Sequence, residues 1–344
     1  MQTSRGTACK KRIMRNSTPD MTPNINLTSI TPPSTLMQRS RYLLRLVAIA
    51  AIACWAGTAS AETIAVDGVA RNFSAQFPDT KPAPVVIVLH GNTQTGADMA
   101  TRTSWPEVAK REHFGVVFPD GLNRAWIGLR PDVKRALRAP PKGTDDVAFI
   151  VKLIEKFIAD GSADPKRIYI TGVSNGGAMT MTLVCARADL FAAAASVIIN
   201  FTDDLANACH PSRPVPMLMM NGTADPLVPY LGGRGTSRFA VSGFWSTERT
   251  LAFWRRVNGC EQQDAAATDL EDRDTTDHST VTQISSNCPQ ARDVVLYRIN
   301  DGGHRMPGNF PDAHFPRVAN YLLGPQNHDI DGAETIWAFF KKFP

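Results

Sequence analysis

The sequence lacks an apolar run long enough to cross a bilayer. The longest run, Leu46 to Cys54, has roughly half of the ~20 residues that a membrane-spanning helix needs. No cluster of Cys, His, Asp and Glu has the spacing of metal ligands, and no glycine-rich loop has the pattern that cradles phosphates. We therefore expect no membrane span, no metal and no cofactor.

An excess of basic charge is also missing from most of the chain. The formal net charge is +5, from 37 Lys and Arg against 32 Asp and Glu in 344 residues. Residues 1–61 hold eight of the basic residues and one acidic residue, Asp20, which leaves 29 basic and 31 acidic residues, a net charge of −2, in residues 62–344. The basic excess lies at the start of the chain, so it indicates no nucleic-acid partner.

The start of the chain is typical of an export signal. Three arginines precede the apolar run, and small residues follow it at the expected cleavage position, Ala59-Ser60-Ala61. We predict a leader over residues 1–61, cleavage before Glu62, and a true start at Met37, where a leader of ordinary length begins. A lipid anchor on Cys54 is the alternative, since small residues precede it too. In either case the protein is exported, to the periplasm or outside the cell.

Cysteine is scarce as well. Of six cysteines, two lie in the predicted leader, and the exported chain keeps Cys185, Cys209, Cys260 and Cys288. An even number of cysteines in an oxidising compartment predicts two disulfides. Residues 62–344 contain no repeat or low-complexity linker and are long enough for one large core, so we expect a single domain there.

Short apolar runs alternate with helical patterns along this domain. Each run is closed by turn residues, as in strands buried on both faces; the runs are Val85 to Leu89, Gly115 to Phe118, Arg167 to Thr171, Pro216 to Met220 and Val294 to Ile299. Helical spacing of apolar residues occurs in Asp145 to Ala159, Ser246 to Val257 and Ile330 to Phe343. The alternation predicts a mainly parallel sheet with helices on both faces, and function in the loops beyond the strands' carboxyl ends.

One of these loops carries a nucleophile motif. Gly172-Val173-Ser174-Asn175-Gly176 follows the predicted strand that ends near Ile170 and precedes a helical stretch from Ala178 to Ala188. That is the strand–turn–helix context of a G-x-S-x-G elbow, in which glycines permit a sharp turn that exposes the serine hydroxyl. The motif makes Ser174 the candidate nucleophile.

A serine nucleophile needs a base and a carboxylate that orients the base. With this elbow the carboxylate comes next along the chain and the histidine last. Asp225 lies just beyond the predicted strand that ends at Met220, although an Asp before Pro also suits a plain turn. Among seven histidines, only His304 follows a late buried strand through a glycine-containing loop. We predict His304 as the base and Asp225 as its orienter.

Proteins with this serine elbow place two backbone N–H groups around the oxyanion that develops on the substrate. One belongs to the residue after the nucleophile, Asn175. The other comes from the loop after the first strong strand, where we predict Asn92, with its neighbour Thr93 as the alternative. One such donor is typically worth about 10² to 10³ in turnover. His90, in the same loop, is expected to be structural.

Residues 62–344 as a whole resemble the secreted polyhydroxybutyrate-depolymerase and feruloyl-esterase group of serine carboxylesterases, which have the α/β-hydrolase fold. The matching pieces follow in order: Leu89-His90-Gly91, Pro119-Asp120-Gly121 with Trp126, Asp145-Asp146-Val147, Gly172 to Gly177, Gly222 to Asp225, Ala252-Phe253-Trp254, and Gly302-Gly303-His304. The resemblance implies the same triad and an ester rather than an amide as substrate. It also implies disulfides between Cys185 and Cys209 and between Cys260 and Cys288.

We therefore expect a secreted esterase that cleaves feruloyl or short-acyl esters of plant cell-wall polysaccharide, or hydroxyalkanoate oligomers, through an acyl-enzyme. A polyhydroxybutyrate depolymerase is the alternative, and a serine peptidase or a catalytically silent binding module is more remote. Trp126, Phe244 and Trp245 are the predicted aromatic walls of the substrate site, although each would also suit a core. Because residues 62–344 have length for the catalytic domain only, we expect weak activity on crystalline polyester.

Overall fold

Ten strands form one sheet in the computed structural model, which describes residues 61–127, 144–235, 243–260, 265–286, 288–308 and 316–344. In chain order they are β1 (Glu62–Val66), β2 (Val69–Gln76), β3 (Ala83–Leu89), β4 (Gly115–Pro119), β5 (Ala163–Val173), β6 (Ala193–Val197), β7 (Met217–Gly222), β8 (Ala266–Asp269), β9 (Thr280–Ser286) and β10 (Val294–Asn300). Across the sheet they lie in the order β1-β2-β4-β3-β5-β6-β7-β10-β9-β8. The predicted leader, apart from Ala61, lies outside the described residues.

The centre of the sheet is parallel and its two edges are antiparallel. Strands β4, β3, β5, β6, β7 and β10 pair in parallel with their neighbours. Strands β1 and β2 at one edge, and β9 and β8 at the other, pair antiparallel. Parallel neighbours need crossover connections, which the helices supply. The predicted mainly parallel sheet of an α/β-hydrolase is confirmed.

Helices cover both faces of this sheet. They are α1 (Gly96–Arg102), α2 (Trp105–Glu112), α3 (Asp146–Ala159), α4 (Asn175–Arg187), α5 (Asp203–Asn207), α6 (Thr247–Val257), α7 (Pro316–Leu323) and α8 (Gly332–Phe340). Helices α3, α4 and α6 contribute buried residues to one apolar core. Helices α1, α2 and α8 contribute to a second core. The sheet therefore separates two hydrophobic layers.

Strand β3 shows why the continuous apolar runs of the sequence are strands. Val85, Ile87 and Leu89 belong to one core, and Val86 and Val88 belong to the other. Successive side chains point to opposite faces of a strand, so a strand buried on both sides must be apolar at every position. All five side chains are at most 1% exposed. The same logic explains β4, which is buried along its whole length.

Most helix boundaries agree with the sequence to within a few residues. The N-cap of α3 is Asp145, because its side chain accepts a hydrogen bond from the N–H of Ala148. Ser246 caps α6 in the same way through the N–H of Arg249. The predicted helix from Ile330 to Phe343 is shorter, Gly332–Phe340. The elements that the sequence patterns did not reveal include β6 and the four antiparallel strands.

Two disulfides cross-link residues that lie 24 and 28 positions apart in the sequence. Cys185 is bonded to Cys209 and Cys260 to Cys288, with Cα–Cα separations of 4.8 and 4.9 Å. These are the pairs that the resemblance implies. As for membrane insertion, none of the helices in the described ranges has the length and apolar character that a bilayer span requires.

Candidate active site

The nucleophile motif forms a tight elbow between β5 and α4. Ser174 lies between the two elements with φ 55° and ψ −113°, a strained conformation for a residue with a side chain. A Cβ added to Gly172 would lie 2.4 Å from the carbonyl group of Gly176, and one added to Gly176 would lie 2.4 Å from the carbonyl oxygen of Leu89. Both motif glycines are therefore required by close backbone packing.

The structure brings the three predicted triad residues together. The Nε2 atom of His304 lies 2.8 Å from the Oγ of Ser174. Its Nδ1 atom lies 2.7 Å from Oδ2 of Asp225. The side chains of His304 and Asp225 are 8% and 1% exposed. Asp225 follows β7 and His304 follows β10, which are parallel neighbours, so both loops leave the same edge of the sheet as the elbow.

Backbone contacts hold the carboxylate and the imidazole in place. Oδ1 of Asp225 accepts hydrogen bonds from the N–H groups of Leu227 and Val228, both at 2.8 Å. Its other oxygen is thus left to face the histidine. Because a carboxylate accepts, Nδ1 of His304 is the donor in that contact, and the lone pair on Nε2 faces the serine hydroxyl. This is the tautomer that a general base needs.

Two backbone N–H groups beside the elbow have no hydrogen-bond partner in the part of the chain that the structure describes. Asn175 occupies the first turn of α4, where backbone N–H groups have no partner within the helix. Among the described residues, no hydrogen bond occupies the N–H of Asn92. The N–H of Thr93, the alternative donor, instead binds the carbonyl oxygen of Arg124 at 2.8 Å. The arrangement favours Asn92 over Thr93 as the second oxyanion donor.

Trp126 is not a wall of a substrate site, which corrects the prediction from the sequence. Its side chain is fully buried in the core. The indole Nε1 donates to the carbonyl oxygen of His90 at 3.0 Å. A ring with no exposed surface offers no face on which a substrate could stack. The alternative left open in the sequence, that this aromatic residue belongs to a core, is the one that the structure shows for Trp126.

His90 has the structural role expected of it. Its Nε2 accepts a hydrogen bond from the N–H of Gly121 at 2.9 Å, and its Nδ1 lies 2.8 Å from the carbonyl oxygen of Gly91. Burial lowers the pKa of His90 below its ordinary value and outweighs the backbone hydrogen bond that raises it. The neutral ring joins two loops at the carboxyl edge of the sheet.

Phe244 and Trp245 have different environments. Phe244 is 7% exposed and its backbone pairs with Thr202 and Gly233, so this ring too is largely enclosed and the prediction of a substrate wall is not supported. Trp245 is only partly buried. Its Nε1 donates to Asp203 at 2.6 Å, and the guanidinium of Arg249 lies 3.6 Å from the ring centre. Of the three predicted aromatic residues, Trp245 alone is partly exposed rather than buried.

A buried ion pair below the site was missed from the sequence. Arg71 on β2 and Asp146 on α3 are 2.7 Å apart, with side chains 2% and 0% exposed. The second carboxylate oxygen accepts a hydrogen bond from the N–H of Ile127 at 2.8 Å. The pair thereby anchors the loop that contains Trp126. Asp146 stood out only as part of a matching motif, and nothing in the sequence connected it to Arg71.

A group of potential metal ligands lies apart from the triad. Asp274, Asp277 and His328 present ligand atoms within 4.8 Å of one another, although the sequence showed no cluster with ligand spacing. The carboxylates already accept local hydrogen bonds, Asp277 from the N–H of His328 and Asp274 from Thr276. His314, one of the other six histidines, lies outside the described residues.

Comparisons with known proteins find similar sequences among hydrolases and esterases. The sequence model of the prolyl oligopeptidase family matches residues 140–203, which include the elbow. Feruloyl esterase B of Piromyces equi is 29% identical over 242 residues, 67% of this chain and 41% of that protein. Poly(3-hydroxyalkanoate) depolymerase C of Paucimonas lemoignei is 31% identical over 121 residues, 33% of this chain and 27% of that protein. The chain thus spans less than half of either relative.

A solved structure, the acetyl xylan esterase from Aspergillus awamori, aligns over 76% of this chain and 98% of that one, with 12% identity and a TM-score of 0.48. The resemblance found in the sequence is confirmed by the sequence relatives, and the fold by the sheet order and the elbow. The chain has the α/β-hydrolase fold and is similar to feruloyl esterases and to a poly(3-hydroxyalkanoate) depolymerase.

Proposed function

We propose that the protein is an exported serine carboxylesterase in which Ser174 is the nucleophile, His304 the general base and Asp225 its orienter. The observation that carries the proposal is the position of the imidazole, which lies within hydrogen-bond distance of both the hydroxyl and the carboxylate. Nucleophile, base and orienter within mutual reach are the geometric signature of acyl transfer. The similarity to esterases supports the same reading.

The chemistry follows from the roles of the three side chains. Oγ of Ser174 attacks the ester carbonyl carbon while its proton passes to Nε2 of His304, and the carbonyl oxygen becomes an oxyanion beside the N–H groups of Asn92 and Asn175. Collapse of this intermediate breaks the ester bond, and the departing alkoxide takes the proton from Nε2. Water, deprotonated by the same nitrogen, then releases the acid and restores the serine. Asp225 stabilises the transient imidazolium.

The proposed substrates are feruloyl or short-acyl esters of plant cell-wall polysaccharide. Similarity to Feruloyl esterase B supports this class. Trp245 is the proposed aromatic contact, since its ring is partly exposed. It lies just before α6, and its N–H donates to the carbonyl oxygen of Phe201, which follows β6. A polyhydroxyalkanoate ester is the second candidate, supported by the similarity to the depolymerase. Export is supported by the two disulfides, which persist in oxidising compartments.

The proposal is tested by labelling with a fluorophosphonate probe, which reacts only with an activated serine. Wild type should be labelled and Ser174→Ala should not. Ser196→Ala is the matched control, because Ser196 is a fully buried serine on the adjacent strand β6 and its hydroxyl has no hydrogen-bond partner among the described residues. We expect the control to keep both labelling and activity.

Substrate class is tested by comparing kcat/KM for methyl ferulate, p-nitrophenyl acetate, 3-hydroxybutyrate oligomers and a p-nitroanilide peptide. The proposal predicts turnover of the first two and none of the anilide. Faster cleavage of the hydroxybutyrate oligomers would select the depolymerase alternative. Cleavage of the anilide above the esters would identify a peptidase, and an unlabelled wild type would refute the serine mechanism.

A further inference from the structure

Two loops at the carboxyl edge of the sheet are tied together by three hydrogen bonds, two of which are buried. The oxyanion loop, residues 90–94, follows β3, and the clamp loop, residues 120–127, follows β4. The N–H of Thr93 donates to the carbonyl oxygen of Arg124 at 2.8 Å. The N–H of Gly121 donates to the ring of His90, and the indole of Trp126 donates to the His90 carbonyl oxygen. Three hydrogen bonds thus join the oxyanion loop to the clamp loop.

The nucleophile elbow also binds the clamp loop, through the side chain of Asn175. Oδ1 of Asn175 accepts a hydrogen bond from the N–H of Trp126 at 2.7 Å, and Nδ2 donates to the Trp126 carbonyl oxygen at 3.0 Å. Asn175 is 8% exposed and Trp126 is fully buried. One amide side chain therefore satisfies both backbone groups of a buried residue, which would be costly to leave unpaired.

Together these contacts connect the two proposed oxyanion donors. The chain of contacts runs from the side chain of Asn175 to the backbone of Trp126, and from the indole of Trp126 to the carbonyl group of His90, two residues before Asn92. Asn175 supplies one donor through its own N–H. The second donor, on Asn92, is held by a loop whose position depends on Trp126. The two donors are thus linked through two side chains, the amide of Asn175 and the indole of Trp126.

We propose that Trp126 and the side chain of Asn175 are positioning residues that set the spacing of the oxyanion hole. This inference rests on the proposed esterase function. An oxyanion hole works because its donors are already oriented before charge develops, and the benefit is lost when a donor moves out of hydrogen-bond range. The neutral carbonyl of the bound ester depends much less on these donors than the oxyanion does. Loosening the clamp should therefore lower kcat and leave KM nearly unchanged.

The sharpest variant is Trp126→Phe, which keeps an aromatic ring and removes the Nε1–H donor to His90. Since one oxyanion donor is worth about 10² to 10³ in turnover, a displaced donor should cost about tenfold to hundredfold in kcat. The inhibition constant of a trifluoromethyl ketone, which forms a tetrahedral adduct with the serine, should rise by the same factor. KM should change by less than about twofold, because ground-state binding is retained.

Trp105→Phe is the matched control. Trp105 is also fully buried, but it lies in the second core, and its indole N–H has no hydrogen-bond partner among the described residues. It removes the same atoms from a core and breaks no link to the oxyanion loop. We expect its kcat and inhibition constant to stay within about twofold of wild type, since no donor is displaced.

A second variant, Asn175→Ala, removes the clamp from the elbow side while leaving the backbone N–H in place. It should lower kcat in the same way as Trp126→Phe. The double variant should lose less than the product of the two single losses, because both act through one loop. Independent, multiplicative losses would show that the two side chains do not belong to one clamp.

Amide hydrogen exchange separates failure of this inference from failure of the proposed function. Exchange at residues 91–94 should be faster in Trp126→Phe than in wild type and unchanged in Trp105→Phe. This readout needs no substrate, so it holds even if wild type hydrolyses none of the esters and the proposed function is wrong. Unchanged exchange in Trp126→Phe would overturn the clamp. A fall in kcat with an unchanged inhibition constant would overturn its action through the oxyanion hole.

Discussion

Removing Arg71 should destabilise the protein severely, because the substitution leaves a buried carboxylate without its counter-charge. In Arg71→Met, Asp146 keeps the hydrogen bond from Ile127 but loses the guanidinium 2.7 Å away. Breaking a buried ion pair by removing one partner typically costs about 3 to 5 kcal/mol. The variant also loses the contact of the guanidinium with the ring of Phe149, 4.0 Å from its centre.

The double variant Arg71→Met with Asp146→Asn separates charge burial from packing. An asparagine retains an oxygen that can accept from the N–H of Ile127, and no unpaired charge remains inside. The double variant should therefore be more stable than Arg71→Met alone by at least about 1 kcal/mol, since a buried pair contributes little relative to a neutral replacement. Arg167→Met is the control, because its pair with Asp164 is partly exposed and should contribute about 0.2 to 1 kcal/mol.

Chemical unfolding in urea, with calorimetry alongside, measures these differences. At about 2 to 4 °C per kcal/mol for a domain of this size, the loss in Arg71→Met corresponds to a fall in Tm of about 6 to 20 °C. The double-mutant cycle isolates the interaction from the two single effects. A free energy of unfolding in Arg71→Met within about 1 kcal/mol of wild type would refute the reasoning, since that is the range of an exposed pair. Strictly additive effects of Arg71→Met and Asp146→Asn on the free energy of unfolding would contradict it as well.

Three further predictions concern the triad, the disulfides and pH. Asp225→Asn should fold, because an amide oxygen can still accept from Leu227 and Val228, but kcat should fall about 10⁴-fold since the amide favours the wrong tautomer of His304; activity near wild type would contradict the orienting role. When the oxidised protein is unfolded, the four cysteines of residues 62–344 should show no titratable thiol. Reduction of each disulfide should lower the free energy of unfolding by roughly 2 to 4 kcal/mol, and four free thiols would contradict both bonds. Burial lowers the pKa of His90 from 6.5, so as the pH falls the unfolded chain binds a proton on this ring before the folded chain does. The free energy of unfolding should therefore decrease as the pH falls below about 6.5. In His90→Gln this part of the pH dependence, followed by Tm, should disappear, and an unchanged slope would assign it elsewhere.

The elbow and its partners were predictable because their signals are local. Gly172 and Gly176 are required by contacts within a few residues or with the adjacent strand, so the motif carries its own geometry. Asp225 and His304 follow strands that neighbour each other in the sheet, and their order along the chain indicated their roles. A buried strand such as β3 reveals itself because every position must be apolar.

Other features depend on contacts that distant residues make. Trp126 lies in a polar loop, and only the packing of that loop against the elbow buries it. Arg71 and Asp146 are far apart in sequence, and a charged residue gives no local sign of burial. Strand β6 was missed because Ala193-Ala194-Ala195-Ser196-Val197 contains a single β-branched residue, and its strand form comes from its parallel neighbours β5 and β7.

The backbone of Ser174 has a consequence for the selection of stable variants. A conformation with φ 55° and ψ −113° costs on the order of 1 to 3 kcal/mol for a residue with a Cβ, and glycine adopts it with far less strain. Ser174→Gly should therefore raise the melting temperature while removing the nucleophile. A library screened for heat resistance alone would enrich dead enzymes at this position, so any directed evolution of the protein must screen turnover in the same round.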